Sequence, residues 1–164
     1  AKHTPSVNLD ITNLGNKHLN PWKLLTAINQ LLDDAYHTHL KLYTDGSKQT
    51  DTNRTAAAVV IPELNYTIAA RLPDGSSIYT AEFWAIQRAL KWIQGHASKY
   101  YLIITDSLSV AKILQTSHSK SRPGMLEETL AILRQLQFTD NKVIDFLWVP
   151  SHIQLKGNDA ADLA

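Results

Sequence analysis

The chain has 164 residues, 44% of them apolar and 19% charged, a balance that fits one folded domain with a short extra arm and excludes global disorder. Cysteine is absent, which excludes a disulfide framework, a thiolate zinc site and a cysteine nucleophile, and fits a reducing compartment. The formal net charge is only +1, so a basic surface for a polyanion has to be local, and no apolar run is long enough to cross a bilayer.

No signal-peptide pattern opens the chain. It begins at Ala1, and Met125 is its only methionine, so we expect a piece of something longer. Residues 1–38 carry Pro5, Asn8, Asn13, Gly15, Asn16, Asn20 and Pro21 and read as an irregular arm. A short helix is expected from about Trp22 to Tyr36, with Leu24, Leu25, Ile28, Leu31 and Leu32 on one side. The arm is expected to pack on the main domain or to belong to an upstream neighbour, and the main domain is expected over 39–164.

Leu40 to Asp45, Thr55 to Ile61 and Tyr66 to Leu72 read as strands, the last two closed by Pro62 and by Pro73-Asp74-Gly75. Short linkers with turn residues make them an antiparallel meander. Thr80 to Gln94 has helical spacing through Ala85, Ile86, Ala89, Leu90 and Ile93, and Gly95 ends it. Tyr100 to Thr105 is continuously apolar, as a strand buried on both faces should be. Ser107 to Gln115 is a short helix, Thr116 to Gly124 a polar loop with Lys120 and Arg122, and Leu126 to Leu136 a further amphipathic helix. Val143 to Val149 is a fifth strand, and Gly157 to Ala164 starts a final helix. The fold class is α/β, a five-stranded mixed sheet with three antiparallel and two parallel strands flanked by helices. There is no repeat or low-complexity tract.

Four acidic residues sit in short signatures along this pattern. Asp45 lies in Tyr43-Thr44-Asp45-Gly46-Ser47 at the end of the first strand, where Asp-Gly also reads as a turn. The polar stretch before Thr55 is too long for a two-residue hairpin there. Glu82, in Thr80-Ala81-Glu82, is in phase with Ile86, Ala89 and Ile93, which puts it on the apolar face of its helix. An ionised carboxylate on a core face is costly unless it is paired or binds a metal, although a first-turn Glu is also favoured by the helix dipole. Asp106, in Thr105-Asp106-Ser107, closes the buried strand and reads either as a ligand or as an N-cap. Asp45 and Asp106 share the carboxyl ends of parallel strands if the first and fourth strands are neighbours. Asp162 lies in Gly157-Asn158-Asp159-Ala160-Ala161-Asp162; periodicity does not choose between it and Asp159. His152 follows Trp148-Val149-Pro150-Ser151 at the start of a loop, where a histidine can be structural or can shuttle protons.

Together these segments, over about Lys41 to Ala164, resemble the ribonuclease H family, in which Tyr-Thr-Asp-Gly-Ser, Thr-Ala-Glu, Thr-Asp-Ser, Trp-Val-Pro-Ser-His and Gly-Asn-Asp-x-Ala-Asp recur in this order. With its Asn-rich arm, the chain looks most like the ribonuclease H domain of a jockey-like non-LTR retrotransposon polyprotein from an animal. The resemblance implies a ribonuclease H-like fold and four metal-binding carboxylates, Asp45, Glu82, Asp106 and Asp162, with Asp159 a helper or bystander. His152 matches the family's mobile loop histidine, which assists proton transfer or product release. Gly46, Ser47, Ser107 and Asn158 fall at positions facing the substrate. The implied reaction is two-metal hydrolysis of the RNA strand of an RNA/DNA hybrid, leaving a 5′-phosphate and a 3′-hydroxyl. Two Mg²⁺ about 3.5–4 Å apart would clamp the in-line displacement, with Mn²⁺ a possible substitute. The 2′-hydroxyl distinguishes the RNA strand. Implied partners are the hybrid and the other domains of a reverse transcriptase polyprotein, without a membrane, in cytoplasm and nucleus.

The chain departs from that pattern in two places. Many cellular members carry a long basic insertion where Thr116 to Gly124 is short and mildly basic, which shifts substrate affinity toward other parts of a parent polyprotein. The sequence also stops two residues after Asp162, so fraying of the last helix is expected to weaken metal binding. The rival expectations are a hybrid-binding module with weak or no catalysis, and an integrase-like enzyme of the same superfamily.

Overall fold

The computed structural model describes residues 5–14, 20–117 and 123–151. Among them, six strands form one sheet, β1 (Ser6–Asn8), β2 (Leu40–Gln49), β3 (Arg54–Ile61), β4 (Tyr66–Leu72), β5 (Tyr100–Thr105) and β6 (Val143–Trp148), in the spatial order β1-β6-β5-β2-β3-β4. β2, β3 and β4 are the expected antiparallel meander, while β5 pairs parallel to β2 and β6 parallel to β5. Among the described residues four α-helices accompany them, α1 (Pro21–Asp34), α2 (Ile78–Gln94), α3 (Leu108–Thr116) and α4 (Pro123–Arg134), and α4 runs into a π turn over Gln135–Thr139.

The α/β class and the mixed sheet are as expected, with one strand more. Ser6–Asn8 pairs parallel to β6, with Ser6 opposite Asp145. Three residues of mixed polarity carry no period that a sequence reading can detect. The pairing instead comes from the backbone of β6, which would otherwise be an open edge. Polar contacts lie beside this pairing: Asn8 Nδ2 donates to the Tyr36 hydroxyl at 3.0 Å within the arm, and His39 Nε2 lies 2.7 Å from Oδ2 of Asp145, the residue opposite Ser6.

The first strand also runs further than expected, through Asp45 to Gln49, with Gln49 opposite Arg54. The Asp-Gly pair is therefore mid-strand, and the turn falls at residues 50–53, where Asn53 takes a left-handed φ of 59° that asparagine tolerates well. The expected final helix over Gly157 to Ala164 and the loop cations Lys120 and Arg122 lie outside the described residues.

Strand alternation divides the core in two. Leu40, Leu42, Ala57, Val59, Tyr101, Ile103, Ile144 and Phe146 face α2 and α4 and pack with Phe83, Ile86, Leu90, Leu130 and Leu133. Tyr43, Val60, Leu102, Ile104 and Leu147 face the other way and pack with Ile28 and Leu32 of α1, and with Trp148 and Val149. The helix expected in the arm thus covers one face of the sheet. Each fully buried aliphatic side chain stabilises by about 1.5–3 kcal/mol relative to exposure.

Candidate metal centre

Three separate elements deliver three carboxylates to one place. Asp45 comes from the middle of β2 and is only 8% exposed. Glu82 comes from the second turn of α2 and is 4% exposed. Asp106 follows the last residue of β5. One carboxylate oxygen from each lies within 4.8 Å of the others.

The sheet register explains the meeting. β2 and β5 run parallel with Thr44 opposite Thr105, so the residues that follow, Asp45 and Asp106, emerge side by side on the same face. Thr44 Oγ1 donates to the Ile104 carbonyl at 3.1 Å and stitches the two strands just below that point. Glu82 reaches them because α2 lies against β2 where Gly46 has no side chain. A Cβ on Gly46 would sit 2.8 Å from the Glu82 backbone nitrogen and 2.9 Å from Ala81 Cβ. The Gly46 N–H donates to Glu82 Oε1 at 3.1 Å, which aims that carboxylate.

Asp106 is not the helix cap. The cap of α3 is Ser107, whose hydroxyl accepts from the Val110 N–H at 3.3 Å. Ser107 N–H in turn donates to Thr105 Oγ1 at 3.1 Å. The Asp106 main chain has a partner that the sequence reading did not identify: Trp148 Nε1–H donates to its carbonyl at 3.2 Å. Trp148 stands in the Trp-Val-Pro-Ser-His signature, so the signal was present, but it pointed only at the histidine.

Of the expected substrate-facing positions, Gly46 is buried under α2, Ser47 is exposed beyond Asp45 on β2, and Ser107 is half-buried beside Asp106. His152, Asn158, Asp159 and Asp162 lie outside the described residues. Burial raises the pKa of the Tyr43 phenol, two residues before Asp45 on the same face, to about 12, with a smaller contribution from Glu63.

Three carboxylates this close repel strongly when all are ionised, and a multivalent cation between them reverses the sign of that interaction. The donors are all hard carboxylate oxygens, the set that Mg²⁺, Mn²⁺ or Ca²⁺ prefers over softer metals. The cluster therefore fits a divalent cation by the chemistry of its ligands. Among the described residues no helix is long and apolar enough to cross a membrane. A family model described as RNase H matches residues 37–164.

Proposed function

The chain belongs to the ribonuclease H family, and from that premise we propose that it is a metal-dependent endoribonuclease that hydrolyses the RNA strand of RNA/DNA hybrids. The observation that supports this reading most is the convergence of Asp45, Glu82 and Asp106 within 4.8 Å from three separate elements. A pure binding module has no use for three carboxylates held together on a sheet face, least of all against a polyanionic substrate.

Asp45, Glu82 and Asp106 would hold the metal, with Asp162 as a fourth ligand from the end of the chain. Two bound Mg²⁺ would supply activation of the attacking water and charge stabilisation at the leaving 3′ oxygen. The protein's own part is to fix the donors beforehand: β2 and β5 set Asp45 beside Asp106, and the Gly46 N–H orients Glu82. Ser47 and Ser107, with Asn158, are proposed to face the substrate, and His152 to carry a proton or speed product release. We place catalysis in residues 39–164, with 1–38 as an arm, and read the parent as a retrotransposon reverse transcriptase polyprotein acting in cytoplasm and nucleus.

The test is cleavage of a labelled RNA strand in a hybrid, with Mg²⁺ and with EDTA, beside single-stranded RNA and both homoduplexes. Metal-dependent cutting of the hybrid alone is expected. Binding of hybrid without cutting would instead make the chain a binding module, and preference for duplex DNA would move it to the integrase-like enzymes.

A further inference from the structure

Asp106 stands where β5 has ended. The last paired residues of that strand are Thr105 with Thr44 on one side and Thr105 with Trp148 on the other. The Val149 N–H still reaches the Thr105 carbonyl at 3.0 Å, but one residue later the main chain leaves the ladder. A carboxylate at such a point inherits whatever freedom its backbone has. Here the Asp106 carbonyl accepts from the Trp148 indole at 3.2 Å, a contact that continues the attachment to β6 by one residue.

The indole is itself held. Trp148 is 9% exposed and belongs to the cluster that contains Ile28 and Leu32 of α1, with Ile28 fully buried. Tyr43 and Ile104, two residues before Asp45 and Asp106 on the same strands or their continuation, belong to that cluster too. The helix that covers this face lies upstream of residue 37, where the family match starts.

We infer that Trp148 is a positioning residue for Asp106, and that α1 of the arm is the packing element that holds Trp148 in register, so that residues upstream of the family's matched segment are part of the metal centre's scaffold. This rests on the reading of Asp106 as a metal ligand. The chemistry is specific: a buried N–H donor, rather than bulk alone, sets the height of the Asp106 main chain above the sheet. Loss of one such hydrogen bond at constant shape leaves an unsatisfied carbonyl and a looser ligand.

The full chain with Trp148→Phe keeps an aromatic ring, removes the donor and gives up part of the indole's bulk, whose packing cost is read separately as the fall in melting temperature. Mg²⁺ affinity is read by calorimetry without substrate, and the Mg²⁺ half-saturation and the KM for hybrid are read from cleavage. Trp148→Phe is expected to weaken Mg²⁺ by about fivefold, the weight of one buried hydrogen bond, with KM for hybrid unchanged. Ile28→Ala is expected to weaken Mg²⁺ in the same direction. Leu136→Ala, a fully buried change on the opposite face, is expected to lower the melting temperature and leave Mg²⁺ affinity alone. Wild-type Mg²⁺ affinity in Trp148→Phe overturns the inference, as does a Leu136→Ala effect on Mg²⁺ equal to that of Ile28→Ala. Should Trp148→Phe not fold, fluorotryptophan labelling of the wild-type chain decides the matter: Mg²⁺ is expected to shift the resonance of buried Trp148 and not that of exposed Trp22, and an unmoved Trp148 signal overturns it. A wild-type chain that neither binds Mg²⁺ nor cuts hybrid fails the functional reading itself, which separates the two failures.

Discussion

The two faces of the sheet follow different rules. Under α2 and α4 the strands present aliphatic and aromatic residues that give way to the buried hydroxyls of Thr44 and Thr105, and the acidic side chain buried there, Glu82, comes from the helix and reaches past Gly46. Under α1 the same strands are apolar only as far as Tyr43 and Ile104, and the next residues on that face are Asp45 and Asp106. One strand repeat, about 6.6 Å, separates core from candidate ligand. The comparison teaches that a metal centre needs no cavity of its own. It needs two neighbouring strands in parallel register whose apolar residues give way at the same height, to carboxylates on one face and to neutral hydroxyls on the other.

The sharpest way to break that comparison is to remove charge where the apolar face stops. Asp106→Asn or Asp45→Asn is expected to lower hybrid cleavage by at least about 100-fold, because several kcal/mol of metal stabilisation are lost. The melting temperature should hold or rise as repulsion is relieved. Near wild-type turnover by either variant would remove the carboxylates from the mechanism.

A smaller effect is expected from Gly46→Ala, which attacks the point where the two faces communicate. The added methyl meets backbone and Cβ of α2 below 3 Å, so the helix has to move away from β2. Overpacking of this kind costs about 1–3 kcal/mol and should lower both the denaturation midpoint and the cleavage rate. Unchanged values in both would show that α2 yields freely and that Glu82 is not aimed by this contact.

The Tyr43 phenol sharpens the comparison through pH. Its folded pKa of about 12 exceeds the ordinary value of 10, so its contribution to stability is complete below pH 10 and is lost as pH rises toward 12. The full effect is at most about 2.7 kcal/mol. Urea midpoints at pH 9 and pH 11.5 should fall further in the wild type than in Tyr43→Phe. Parallel losses would mean that the arm face does not bury this hydroxyl in solution. The smallest effect belongs to Arg71, whose exposed contact with Asp74 at 3.0 Å lies outside both faces. Arg71→Ala should change stability by less than about 0.5 kcal/mol in a urea titration.

Much of this was legible in the residues. The unbroken apolar run of β5 announced a central strand, and Glu82, in phase with Ile86, Ala89 and Ile93, announced a buried acid, which it is at 4% exposure. The spacing of Leu24, Leu25, Ile28, Leu31 and Leu32 gave the arm helix to within two residues at its end. What the residues hid was the length of that first strand: it was expected to end at Asp45, and only the pairing of Lys48 and Gln49 with β3 carries it past Asp45-Gly46.

The sequence by itself determined the class of fold, the strand and α-helix order from Pro21 to Trp148, and the acidic residues to be watched, because periodicity and signatures are properties of neighbours along the chain. The tertiary structure decided the rest. It put Thr44 opposite Thr105, so that Asp45 meets Asp106; it seated α2 on Gly46, so that Glu82 joins them; and it added Ser6–Asn8 to the sheet edge and laid the arm helix over the face that ends in carboxylates. These are contacts between residues about 30 to 140 positions apart. They depend on which surfaces are buried against each other, and no local pattern encodes that.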